Sequence, residues 1–237
     1  MRPDGTPIAM RHRAGTGPTI IFLPGYASDM AGTKAIALDD WATRTGHPLL
    51  RFDYGGCGES GGAFEDQTLD GWLGDALIAV DSVTGPVVLI GSSMGGWLML
   101  LVALARPSRI DGLIGLAAAP DFTEWGYTDA QKHTLLTEGR VFEDSPYGPP
   151  MLTTRAFWES GNRHTLLHDR IAIDAPVRLI QGQRDNDVPW QTALRIAGRL
   201  RSADVQTIFV KDGNHRLSRP RDIGLIIATL EALLENL

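Results

Sequence analysis

Val87-Val88-Leu89-Ile90-Gly91-Ser92-Ser93-Met94-Gly95-Gly96-Trp97 holds an apolar run, a tight glycine–serine turn and the start of an apolar helical pattern within eleven residues. The run Val87–Ile90 has strand character, and the pattern Met94–Ala105 reads as a helix that stops before Pro107. Inside the turn only Ser93 has glycine two residues away on both sides; for Ser92, position 90 is Ile. A serine on a sharp strand-to-helix turn adopts strained dihedrals, and side chains two residues to either side would collide, so both must be tiny. Such a turn lifts the hydroxyl above the sheet edge. It also aims the N–H of Met94 beside the hydroxyl, where the helix N-terminus adds partial positive charge. An accidental glycine–serine match is the bland alternative, and the strand before and helix after weigh against it.

Outward from this turn, short β-rich runs alternate with helical patterns. Expected strands are Ile8–Arg13, Thr19–Leu23, Pro48–Tyr54, Ile110–Leu116, Val177–Gln181 and Val205–Val210. Expected helices run over Met30–Thr45 (with Ser28 or Asp29 as N-cap), Thr68–Val83, Trp190–Leu200 and Ile223–Leu234. Apolar runs without strict alternation suit strands buried on both faces, as in a mostly parallel sheet with helices on both sides. Residues 1–237 are therefore expected to form a single α/β domain. The stretch 121–174 breaks the alternation and is expected to be a helical cap insertion. Its helical fragments would be Thr128–Glu138, Thr153–Ser160 and Thr165–Asp169, with Ser145-Pro146-Tyr147-Gly148-Pro149-Pro150 as a non-helical break.

A serine hydroxyl is a poor nucleophile without a base, and the base must be oriented by a third group. Of six histidines, His215 follows the last strand, where a loop residue reaches the carboxyl edge of the sheet. His12 lies on the first strand, His47 in a turn at the opposite end, and His133, His164 and His168 in the insertion. Asp185 follows the strand Val177–Gln181 after a glycine turn and is the favoured acid. Asp187 is expected to cap the helix after Pro189, and Asp121 is a lesser alternative. The order Ser93, Asp185, His215, each on a loop after a strand, is hard to obtain by chance. A second donor for a developing oxyanion is expected from Leu23-Pro24-Gly25-Tyr26, where Gly25 permits a turn presenting the N–H of Tyr26. Losing one such donor typically costs ~3–4 kcal/mol of transition-state stabilisation.

Composition bounds the alternatives. A chain of 237 residues with 43% hydrophobic and 21% charged residues is an ordinary globular one. Its net charge of -6 and lack of a basic block set nucleic acid aside. The longest apolar run, Trp97 to Ala105, is too short to cross a bilayer, and the N-terminus has no apolar run or cleavage-site pattern. The expectation is a cytoplasmic protein without stable membrane insertion. The single cysteine, Cys57, cannot form an internal disulfide and reads as a bystander thiol. Gly56-Cys57-Gly58-Glu59-Ser60-Gly61 matches a dinucleotide-binding fingerprint, but the next helical pattern begins several residues too late to place its N-terminus on a pyrophosphate. No metal or organic cofactor is expected.

The Ser–Asp–His order with Gly-x-Ser-x-Gly resembles the α/β-hydrolase superfamily over nearly the whole chain. Five stretches are similar to a narrower branch, the mitochondrial palmitoyl-protein thioesterases that also hydrolyse acyl glucuronides of mycophenolic acid. They are Phe22–Tyr26, Gly32–Ala35, Arg51–Gly56, Gly91–Leu100 and Val188–Trp190, joined by His215-Arg216. The resemblance implies Ser93 as nucleophile, Asp185 as acid and His215 as base. Asn214 departs from the Asp expected before the histidine, and residues 121–174 match poorly. Arginine makes up nineteen of the 22 basic residues, as expected of a bacterial relative rather than of the mitochondrial enzyme.

The expectation is thus a serine hydrolase cleaving carboxylic esters or thioesters through an acyl-enzyme. Its substrate would be a small acyl ester or thioester, or an acylated protein. Trp125, Phe142, Met151, Leu152, Phe157 and Trp158 either wall an acyl pocket or form the inner face of the cap. The rival readings are a perhydrolase or C–C bond hydrolase on the same residues, and a catalytically silent ligand-binding protein on the same fold.

Overall fold

The computed structural model describes residues 1–144 and 150–237, so all but Pro150 of the expected break at 145–150 lies outside the described residues. The elements follow in chain order: β1 (Met10–Arg13), β2 (Thr19–Leu23), α1 (Thr33–Thr45), β3 (Leu49–Phe52), α2 (Leu69–Asp81), β4 (Val87–Ser92), α3 (Met94–Ala105) and β5 (Ile110–Leu116). Then come α4 (Phe122–Trp125), α5 (Asp129–Glu138), β6 (Arg140–Glu143), β7 (Met151–Thr154), α6 (Arg155–Asn162), β8 (Val177–Gly182), α7 (Gln191–Arg199), β9 (Val205–Val210) and α8 (Pro220–Leu234).

Seven strands form one sheet in the order β1-β3-β2-β4-β5-β8-β9. Only β1 is antiparallel, paired with β3; every other pairing is parallel. Strands β2, β3, β4 and β8 are buried at every residue, the signature of a sheet covered on both faces. On one face Leu38 and Trp41 of α1 pack with Ile226, Leu230 and Leu233 of α8, and Trp41 Nε1 donates to Glu231 Oε1 at 2.8 Å. On the other lie Trp72 of α2 and Trp97 of α3, together with Phe157 of α6. Helix α3 is apolar all round and sits at the centre of the molecule, with ten of its twelve residues buried. The first residues of the chain are bound into this side. Arg2 donates through Nε and Nη2 to the two oxygens of Asp75, each at 2.6 Å, and Asp75 Oδ2 also accepts the N–H of Gly55.

The structure differs from the sequence expectations at several elements. Helix α1 begins at Thr33 behind Gly32 rather than at Met30, because the nearby amides are already engaged. The N–H of Met30 donates to Asp53 Oδ1 at 2.7 Å, and that of Ala31 to Asp29 Oδ1 at 2.8 Å. Helix α8 begins at Pro220, where Arg219 and Asp222 cap one another reciprocally. The segment between β5 and β8 is not wholly helical: β6 and β7 form an antiparallel hairpin. The helix expected at Thr165–Asp169 is a turn, since the N–H groups of Leu166 and Leu167 donate to the two oxygens of buried Asp121. Asp187 caps nothing, as α7 starts only at Gln191 without a side-chain cap.

The segment is held to α2 by polar contacts. Asp70, in the first turn of α2, accepts from Ser160 Oγ at 2.7 Å, Arg163 Nη2 at 2.5 Å and His164 Nε2 at 2.5 Å. Of the six apolar side chains singled out in it, Phe157 is buried, while the Trp125 and Trp158 indoles donate to the carbonyls of Pro120 and Thr123. These three pack the segment. Phe142 and Met151 are exposed on the hairpin.

Candidate active site

Ser93 stands at the junction of β4 and α3 with φ 55° and ψ −120°, a backbone conformation rare for any residue with a side chain. Its surroundings impose it. The Ser93 N–H donates to Leu116 O at 2.9 Å, and its carbonyl accepts from Gly96 and Ala119 at 2.8 and 3.0 Å. A Cβ on Gly91 would come within 2.3 Å of Gly95 O, and one on Gly95 within 2.1 Å of Leu23 O. The glycine spacing is therefore a packing requirement of three crossing backbones.

His215 comes from the loop after β9 and Asp185 from the loop after β8. The two loops are brought together by Gly182, where a Cβ would lie 2.3 Å from Gly213 O, and by the N–H of Arg184 donating to Gly213 O at 2.8 Å. His215 Nε2 lies 3.0 Å from Ser93 Oγ, and His215 Nδ1 lies 2.9 Å from Asp185 Oδ2. The side chain of Asp185 is 0% exposed and that of His215 18%, so the acid is sealed while the imidazole and Ser93 remain reachable from solvent. A carboxylate on Nδ1 selects the tautomer with the proton there, leaving the Nε2 lone pair toward Ser93.

Asp185 is well satisfied. Its Oδ1 accepts the N–H groups of Asp187 and Val188 at 2.9 and 2.8 Å, and its Oδ2 accepts Gln181 Nε2 at 2.9 Å besides His215. Burial alone would raise its pKa, but the hydrogen bond and charge of His215, with the two backbone donors, hold it below the ordinary carboxylate value. Gln181 is a participant that sequence reasoning missed. The available signal was a polar residue at the end of the strand Val177–Gln181, four positions before the acid. The Asn214 departure has a local role: its Oδ1 accepts the N–H of Leu217, and the loop is further tied by Lys34 Nζ donating to Arg216 O at 2.6 Å.

The N–H of Met94, at the first position of α3, and that of Tyr26, after β2, donate to no acceptor among the described residues. Tyr26 follows Gly25, where a Cβ would lie 3.4 Å from Ser93 Cβ, and Met94 directly follows Ser93. The remaining sequence-selected residues are elsewhere. His47 stacks on Trp41, His164 pairs with Asp70 and His168 with Glu124. Asp121 is occupied by two backbone N–H groups, and His12 lies on β1. Burial raises the Cys57 thiol to about 12, the state of an inert thiol. The Gly56–Gly61 loop is organised by Asp53, which accepts from the N–H of Glu59 and, through its carbonyl, from Ser60 Oγ.

This sheet, with a serine on the turn after its central strand and a histidine and a buried aspartate on two later loops, defines an α/β-hydrolase. A family model described as serine aminopeptidase S33 matches residues 16–160. Human mitochondrial palmitoyl-protein thioesterase ABHD10 is 38% identical over the whole chain, which spans 79% of that protein. The crystal structure of a hydrolase from Agrobacterium vitis S4 superimposes with a TM-score of 0.93 at 39% identity, covering 99% of this chain and 95% of that one. The α/β-hydrolase domain-containing protein 10 from mouse does so at 0.93 and 37%, covering 100% and 97%. The chain belongs to the ABHD10 family of the α/β-hydrolase superfamily.

Proposed function

We propose that the chain is a serine hydrolase of acyl esters or thioesters, with Ser93 as nucleophile, His215 as base and Asp185 as the acid that orients it. The observation that carries this reading is the unbroken hydrogen-bond chain from Asp185 Oδ2 through the imidazole to Ser93 Oγ, at 2.9 and 3.0 Å. The thioester half of the substrate class is supported by relatives named palmitoyl-protein thioesterase.

Ser93 Oγ attacks the acyl carbon as its proton passes to His215 Nε2. The carbonyl π pair moves onto oxygen, which the N–H groups of Met94 and Tyr26 receive, with the N-terminal end of α3 behind them. The tetrahedral intermediate collapses, the bond to the leaving oxygen or sulfur breaks, and His215 gives that atom its proton. Asp185, buried and ionised, stabilises the imidazolium between the two transfers. Water then attacks the acyl-enzyme with His215 again as base, releasing the carboxylic acid and restoring Ser93.

The experiment is hydrolysis of p-nitrophenyl esters from acetate to palmitate and of a palmitoyl thioester, with Ser93→Ala alongside. Ser93-dependent turnover is expected. Preference for the long chain or the thioester would support an acylated substrate like that of the thioesterase relatives. Turnover that survives Ser93→Ala would overturn the assignment.

A further inference from the structure

The chemistry above uses only the backbone N–H of Tyr26, yet its side chain is heavily engaged. It enters a cluster of four rings, all edge-on: Phe64 at 5.4 Å between centroids, Trp72 at 5.5 Å, Phe122 at 6.1 Å and Phe157 at 4.9 Å. Phe122 and Phe157 belong to α4 and α6 of the segment between β5 and β8. The phenol donates to the carbonyl of Leu152 in β7 at 2.6 Å. Burial, and after it the neighbouring Tyr127 phenol, push the Tyr26 pKa up, so the hydroxyl stays protonated and remains a donor.

The loop orients the peptide that carries this amide through one turn bond, the N–H of Ser28 donating to Gly25 O at 3.2 Å. The Tyr26 N–H has no acceptor among the described residues, and Ala27 turns away with φ 52°. Beyond that bond the peptide is held by Gly25, packed against Ser92 and Ser93 on one side, and by the Tyr26 side chain on the other. An oxyanion donor is useful only within a few tenths of an ångström and a narrow angle of the developing charge.

We propose that Tyr26 is a positioning residue whose ring and hydroxyl dock the oxyanion loop onto the β6–β7 hairpin, so that the segment over the sheet sets the aim of a catalytic N–H. This inference rests on the proposed function and extends it, because it makes the hairpin part of transition-state stabilisation rather than only a cover.

The test compares Tyr26→Phe, which keeps the ring and deletes the bond to Leu152, with Trp158→Phe, which deletes the 2.7 Å bond to Thr123 O in the same segment without touching the loop. The readouts are kcat and KM on a p-nitrophenyl ester, Ki for a trifluoromethyl ketone that forms an oxyanion adduct with Ser93, and the thermal midpoint. Tyr26→Phe is expected to lower kcat by roughly 10- to 100-fold with KM within about twofold, and to weaken the ketone by the same factor. Trp158→Phe is expected to lower the midpoint while leaving kcat and the ketone Ki within about twofold of wild type. Tyr26→Phe with kcat and Ki unchanged, or both variants losing kcat equally, would overturn the inference. A wild-type chain that neither hydrolyses the ester nor reacts at Ser93 with a fluorophosphonate would overturn the proposed function, and this inference with it.

Discussion

Ser93 is held at φ 55° and ψ −120° by neighbours that need it there, and such a conformation costs ~1–3 kcal/mol for a residue with a side chain. Two substitutions separate its chemistry from its strain. Ser93→Ala should lower kcat by about 10⁶ while leaving the strain in place. Ser93→Gly should be equally inactive, yet more stable than Ser93→Ala by about 1 kcal/mol in urea denaturation, because glycine tolerates that backbone region. Equal stability of the two variants would show that the elbow stores no strain. Asp185 acts through His215, so Asp185→Asn should keep the fold and lower kcat by about 10⁴ through the wrong tautomer. Full activity in that variant would remove Asp185 from the reading.

At the scale of elements, the contact between α2 and α6 combines Trp72 packed on Phe157, 5.4 Å between centroids, with one carboxylate that gathers three donors. Hydrogen bonds from His164, Ser160 and Arg163 outweigh the burial that would raise the pKa of Asp70, and bring it to about 2 against an ordinary 3.8. Because the folded value is the lower one, the stabilisation is complete well above pH 3.8 and is lost as pH falls from there toward 2. The thermal midpoint of Asp70→Asn should therefore lie below that of wild type at pH 7, and the gap should narrow by pH 3. A gap independent of pH would rule out ionisation of Asp70 as its source. Much of the architecture could be read from residues 1–120 and 177–237, because strands buried on both faces leave unbroken apolar runs such as Ile20–Leu23 and Val87–Ile90. The hairpin could not. Arg140–Glu143 and Met151–Thr154 are four residues each and bury only Val141 and Thr153, too little for a period to emerge. The turn at 165–169 failed for a different reason: its amides answer to Asp121, forty-odd residues away, and no local pattern records that. The Ser93, Asp185 and His215 positions were legible because each follows a strand. Gln181 was not, since a buried amide serving the acid looks like any polar residue at a strand end.

Taken whole, the molecule divides its apolar interior between the two sides of one sheet, and only one side carries the hairpin and the segment it belongs to. Leu230 of α8 is buried on the other side, with α1. Leu230→Ala should cost about 2–5 kcal/mol in denaturant unfolding while leaving kcat/KM near wild type at temperatures where the variant remains folded. A matching loss of activity would mean that the two sides of the sheet are coupled more tightly than their separate cores suggest. Arg2 raises a different matter. Its guanidinium is the partner of Asp75 in α2, whose side chain is 0% exposed, so Arg2 neutralises a charge buried within that helix. Loss of that side chain, as in Arg2→Ala, would strand an ion inside the protein, at about 3–5 kcal/mol. Arg2 is thus a plug for an interior carboxylate, and its loss would shorten the lifetime of the whole fold without touching any residue of the site.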